Sequence, residues 1–242
     1  MVNRYNIADK VVEVTSIHAE VHEYCSDYLT DEPADYSITT TQADIDLERE
    51  KSAREDEIEC IPTRHFSDSY LEELAVYRKI AEKMIEYDTV LFHGSVIAVD
   101  GIGYLFTAKS GTGKSTHTRL WREYFGNRAV MVNDDKPLLH IAEIGVIAYG
   151  TPYNGKHRLG TNISVPLKAI CILTRSADNH IEPITREQVY TMLLQQVYRP
   201  ADMLKMAKTL ELVDRLADSV KLYKLGCNME ISAAQVAYEG MQ

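Results

Sequence analysis

The stretch Ala108-Lys109-Ser110-Gly111-Thr112-Gly113-Lys114-Ser115-Thr116 decides how this chain is read. Its spacing is that of a phosphate-binding loop, with Ala108 where the first glycine usually stands. Gly111 and Gly113 allow backbone conformations that turn successive amides inward onto phosphate oxygens. A helix starting directly behind them presents its unpaired amides and positive dipole end to the same oxygens. Lys114 is expected to reach the β- and γ-phosphates and the Ser115 hydroxyl to ligate Mg²⁺, with Ser110, Gly111, Thr112, Gly113 and Thr116 completing the cradle. The expected ligand is a nucleoside triphosphate, ATP with Mg²⁺.

Such a loop needs a strand before it and a helix after it. Residues 103–108 (GYLFTA) are apolar and β-prone, and residues 116–125 (THTRLWREYF) place Leu120, Trp121, Tyr124 and Phe125 on one helical face, with Gly126 as the stop. Asp100-Gly101 is a hairpin signal, so the strand entering the loop should pair antiparallel with residues 94–99. After the helix, the short apolar strand 129–133 (AVMVN) ends in Asp134-Asp135. One helix and one strand return the chain to the loop, so these carboxylates are expected to face the phosphates.

His93-Gly94, a hairpin, the phosphate loop, one helix and a strand ending in Asp-Asp together resemble the HPr kinase/phosphorylase and phosphoenolpyruvate carboxykinase superfamily. The resemblance covers residues 90–140 and extends more loosely to about 230. It implies an α/β fold: a P-loop core with a mixed sheet and helices packed on it, occupying residues 66–242, behind a small β-rich portion at 1–65. By the HPr kinase motif it implies Asp135 as base, His93 orienting it and Asp134 on the metal. Carboxykinases would instead use the matching His and Asp for a second, transition metal, and both uses stay open. Downstream, YGTPYNGKHRLG (149–160) replaces the Glu-x-Arg-Gly-type signature of true HPr kinases, so neither the HPr substrate nor the phosphorylase activity is carried over.

The 242 residues suffice for one domain, or one with a small appendage, that folds without disulfide or metal. A formal charge of −10, from 36 acidic and 26 basic residues, disfavours nucleic acid as partner. Cys25, Cys60, Cys171 and Cys227 form no C-x-x-C pair, which fits a reduced, cytoplasmic setting. No apolar leader or eighteen-residue apolar run is present, so neither a signal peptide nor a membrane span is expected. Self-association is left open.

Ahead of the core, residues 10–22 and 37–48 read as strands and the charge run 48–56 as a solvated turn. His18 and His22 have the spacing of a helical metal pair but lie in a segment that reads as strand, so surface or core histidines are expected. Ser69 and Glu72 have capping-box spacing for a helix running to about Tyr87. Beyond the acidic pair, Gly150, Pro152, Gly155 and Gly160 make residues 146–162 irregular, and the stretch carries Asn154, Lys156, His157 and Arg158 as candidate contacts for an anionic substrate. A helix is expected over 186–200, an amphipathic one over 201–219 with Met203 and Ala207 inward, a strand over 220–226 and a final helix over 231–240.

The expected activity is ATP- and Mg²⁺-dependent transfer of the γ-phosphoryl group to a hydroxyl of a peptide, protein or small molecule. Two rival readings are a nucleotide-binding regulatory module without catalysis and a carboxykinase-like enzyme.

Overall fold

The computed structural model describes residues 1–109, 111–155 and 157–242, so the expectations for Ser110 and Lys156 lie outside the described residues. Two compact units are present, Met1–Lys83 and Met84–Gln242. The division falls behind the helix Asp68–Met84, whereas the boundary expected at 65/66 falls ahead of it.

In the first unit, β1 (Val2–Ile7) and β2 (Lys10–Thr15) form a hairpin through Ala8 and Asp9, both at positive φ, and β3 (Tyr36–Thr39) joins β2 in parallel. The expected strand at 10–22 stops at Thr15, and His22 lies on α1 (Glu20–Tyr24). The expected strand at 37–48 ends at Thr39, and its remainder and the turn expected at 48–56 give way to α2 (Gln42–Ile58). The Asp44 carboxylate accepts from the Thr41 amide at 3.0 Å, which starts the helix. Arg78 of α3 (Asp68–Met84) then pairs with Glu48 at 2.6 Å and with Asp44 at 3.3 Å, so part of the charge run faces cations rather than water.

Nor do Ser69 and Glu72 cap α3. The Ser67 hydroxyl accepts from the Tyr70 amide, while Glu72 is fully buried and accepts from the Ile17 and His18 amides, the His18 ring and the Thr40 hydroxyl. Burial alone would raise this carboxyl, but those donors prevail and hold it below the usual range. His22 sits between the Tyr5 and Ser16 hydroxyls, at 2.6 and 2.8 Å. The two imidazole rings therefore have separate partners.

The second unit is built on one mixed sheet. Its strands run β4 (Thr89–Leu91), β8 (Leu138–Ile141), β9 (Val146–Tyr149), β10 (Ser164–Arg175), β6 (Ile102–Thr107), β5 (Ser95–Val99) and β7 (Ala129–Asn133), and β12 (Lys221–Cys227) joins β10 with β11 (His180–Pro183) outside it. β9 lies in the stretch expected to be irregular, and β11 was not foreseen. β6, β10 and β12 run parallel, while β5 is antiparallel to both β6 and β7. The carboxyl ends of β6, β7, β10 and β12 and the start of β5 therefore share one edge. Open α/β sheets bind ligands at such an edge.

Alternation along the strands divides the core between two faces. Val96, Ala98, Ile170 and Ile172 join one cluster with α5 (Arg186–Gln196) and α6 (Met203–Ser219). Ile97, Val99, Cys171 and Leu173 join the other with α4 (Lys114–Phe125) and α7 (Ser232–Gly240). Covered on both faces, β5 is buried at all five positions, which is why its sequence shows no polar alternation. Trp121 centres the second cluster, with Tyr104 and Phe106 at ring distances of 5.0 and 5.1 Å. Three inward expectations fail, since Tyr124 is 42% exposed, Met203 86% exposed and Ala207 exposed as well. Helix α5 ends at Gln196, four residues early, because Val197 turns extended and bridges to Phe92.

Candidate functional site

Register brings the acidic pair to the sheet edge. β5 aligns Val96 with Asn133, so Ser95 meets Asp134, and its hydroxyl lies 3.0 Å from the Asp134 carbonyl and 3.1 Å from Oδ1. The Asn133 side-chain oxygen accepts from the amides of Asp135 and Lys136, at 2.9 and 2.7 Å, turning the chain sharply after β7. The two carboxylates consequently have different surroundings. Asp134 is 7% exposed and is hydrogen-bonded by Ser95 and by Ser115 from the first turn of α4. Asp135 remains a third exposed and stands 3.4 Å from His93 Nε2 through Oδ1.

His93 is placed by its backbone on both sides. Its amide donates to the Gln196 carbonyl at 2.7 Å, its carbonyl accepts from the Thr107 hydroxyl at 3.1 Å, and the next amide, of Gly94, donates to the Asp135 carbonyl at 3.0 Å. Burial lowers the imidazole pKa and the Lys114 charge lowers it further, against the opposing pull of Asp135, so the ring is neutral near pH 7. Lys114 feels burial first as well, which lowers its ammonium although Asp135 and Asp134 both favour the charge. Burial pushes the Asp134 carboxyl up in spite of its two serine donors.

The loop between β6 and α4 keeps its glycines for conformational reasons. Gly111 and Gly113 have φ of 74° and 122°, where an L side chain is strained, and neither has a crowding neighbour. Thr112 folds back onto the Lys109 carbonyl through both its amide and its hydroxyl. The Lys114 ammonium lies 3.4 Å from the Ala108 carbonyl.

The segment after β9 closes over the acidic pair by its backbone. A Cβ built on Gly155 would stand 3.4 Å from that of Asp135 and 4.0 Å from an Asp134 oxygen. Thr151 and the Tyr153 carbonyl hold the Asn133 amide, and the Thr151 hydroxyl donates to the Lys136 carbonyl. Of the residues expected to meet a substrate, Asn154 is buried within the segment, donating to the Thr151 carbonyl under Gly160. His157 and Arg158 are exposed beyond Gly155. The edge thus unites Lys114, Ser115, Asp134, Asp135 and His93 with Gly155 of the segment expected to be irregular and Gln196, whose sequence reading leaves open a nucleotide contact or a surface role, and adds Ser95, which nothing local in the sequence singles out.

These donors fit a cation of the Mg²⁺ kind. Asp134 is a buried carboxylate whose serine donors do not offset its burial, and the Ser115 hydroxyl stands beside it. Among the described residues no group of three or more His, Cys, Asp or Glu is arranged to hold a metal by itself. A cation here would complete its shell with phosphate oxygens and water, as Mg²⁺ does. Among the described residues no helix is long and apolar enough to cross a membrane.

A family model described as SynChlorMet cassette protein ScmC matches residues 65–230, well over half of the sequence, and the chain belongs to that family. Among solved structures, the Hpr(Ser) kinase/phosphatase from Coxiella burnetii is similar at 10% identity and a TM-score of 0.34, over 62% of this chain and 95% of that one. No curated protein matches the chain.

Proposed function

We propose that the chain is a phosphotransferase that moves the γ-phosphoryl group of a nucleoside triphosphate, ATP with Mg²⁺, to a hydroxyl of a peptide, protein or small molecule. The observation that carries this reading is the convergence, at one sheet edge, of the loop lysine Lys114, the Ser115–Asp134 pair and the His93–Asp135 pair. Amides of the 111–116 segment hold the phosphates, and Lys114 neutralises charge on the terminal two. Mg²⁺, when bound, supplies further neutralisation of the transferring group. Asp134 and Ser115 are the side chains that would hold it. Asp135, more open than its neighbour, accepts the proton of the acceptor hydroxyl. Neutral His93 donates through Nε2 and fixes the orientation of the Asp135 carboxylate. Gly155 brings backbone to this carboxylate without a side chain to block an acceptor.

The test is incubation of the whole chain with γ-labelled ATP, Mg²⁺ and pools of hydroxyl-bearing acceptors, beside calorimetric ATP binding. Asp135→Asn should keep ATP affinity and lose transfer by about 10²–10⁴, the usual contribution of a positioned base. Lys114→Ala should lose ATP binding itself. Undiminished binding in Lys114→Ala would refute the phosphate site, and near-normal transfer in Asp135→Asn would refute the base.

A further inference from the structure

Strand order places β7 and its acidic pair on one side of β6, and β10 with β12 on the other. On that second side a cavity of about 520 Å³ opens between Gly111–Gly113, the first turn of α4, and the carboxyl ends of β10 and β12. The volume lies within the range of small-molecule sites, ~300–1,000 Å³. Beyond the 111–116 segment, its walls take no part in the phosphotransfer chemistry above. We propose that this cavity takes the nucleoside of the triphosphate, with the base packed against Met229. The inference rests on the phosphate-loop reading and deepens it.

Polarity of the ligand is the first argument. Lys114 senses both Asp134 and Asp135, so the terminal phosphates lie toward β7. The remainder of the molecule must then leave the loop by its other side, where Thr116 and His117 line the cavity.

The walls are the second argument. Leu173 is buried in the core and forms one apolar wall, while Met229 is 78% exposed at the cavity's edge and serves no core. A thioether beside a flat ring is a favourable contact. Met229 is also presented from a fixed turn. The Asn228 side chain donates to the Ala177 carbonyl and accepts from the Glu230 amide, and its own amide donates to Asn179. Arg175, at the end of β10, donates to the Gly111 carbonyl at 2.6 Å and so ties the cavity wall to the phosphate loop.

His117 supplies an independent sign of a ligand. The Trp121 indole N–H can only donate, and it lies 3.0 Å from His117 Nε2, so the ring hydrogen sits on Nδ1. That Nδ1–H is buried and has no partner among the described residues, although His117 lines the cavity. A buried donor without an acceptor is rare enough to call for one, and a nucleoside oxygen or ring nitrogen would serve.

Calorimetry of the whole chain with ATP and with inorganic tripolyphosphate, each with Mg²⁺, separates the two halves of the ligand. Wild type should bind ATP at least about tenfold more tightly, as one well-packed ring warrants. Ser176→Trp, which fills the cavity from the end of β10, should abolish that advantage and leave tripolyphosphate affinity unchanged, which also shows that the variant is folded. Met229→Ala should weaken ATP alone by about two- to tenfold. Equal affinity of wild type for both ligands, or unaltered ATP affinity in Ser176→Trp, would overturn the assignment. If Lys114→Ala leaves tripolyphosphate binding intact, the phosphate-loop reading itself has failed and this inference falls with it.

Discussion

Acidification from about pH 7 to about pH 5 should cost the folded chain about 2 kcal/mol through His117 alone. The ring is 2% exposed, and burial lowers its pKa from 6.5 to about 3. Because the folded-state value is the depressed one, the stability is fully present above 6.5 and is lost as pH falls from there toward 3. At about pH 5 the unfolded histidine is almost wholly protonated and the folded one is not. The cost is then set by the unfolded value, and a folded pKa one unit higher would hardly change it. The perturbation is His117→Gln, which keeps an acceptor for the Trp121 indole and removes the titration. Trp121 is the chain's single tryptophan and is fully buried, so its fluorescence during urea unfolding reports on this core. Wild type should lose about 2 kcal/mol more than His117→Gln between the two pH values. A difference below about 0.5 kcal/mol, the ordinary scatter of neutral substitutions, would refute the reasoning.

Two further outcomes follow from the site's packing. Gly150→Ala would place a Cβ 1.9 Å from the Thr161 carbonyl oxygen and 2.9 Å from that of Val132, both backbone, so unfolding by Trp121 fluorescence should show a loss of about 1–3 kcal/mol. Undiminished stability would mean that the 150–161 segment does not close as described. Ser95→Ala removes a donor from Asp134, whose carboxyl burial already raises, so the Mg²⁺ dependence of ATP binding should be lost at higher pH than in wild type as the solution is acidified. An unshifted pH profile would separate Ser95 from the metal side of the site.

Much of the second unit was legible because its cues are local. Asp100 and Gly101 both adopt positive φ, as their hairpin pattern requires, and β5 and β6 pair as that turn dictates. Strand β7 occupies the residues its apolar run marked, and α4 begins directly behind Gly113. The first unit misled where local cues conflicted. Residues 42–58 are rich in charge and weakly amphipathic, so pattern alone could not separate a helix from a solvated turn. Arg78, thirty residues beyond Glu48, decides it. Glu72 has the spacing of a cap, yet a backbone amide fifty-five residues earlier outcompetes the helix end for its carboxylate.

The chain's own order of residues determined which groups are candidates for chemistry here: glycines where φ must be positive, a lysine and a serine behind them, a histidine before the hairpin and two carboxylates after a short strand. Each of those demands acts between near neighbours and is written within a few residues. Tertiary structure alone decided how the groups divide. Ser95 reaches Asp134 across 39 positions because β5 lies between β6 and β7, and that burial separates the two carboxylates in character. Gly155 brings its backbone up to Asp135, and Asn154 turns inward, because backbone hydrogen bonds from Gly150 to Ile163 and from Thr161 to Val132 fix the segment's path. The cavity by His117 exists because β10 and β12 end beside the loop. Strand order and register arise from pairing between distant segments, whose energies are summed over whole faces of the sheet, and no short stretch of sequence holds that sum.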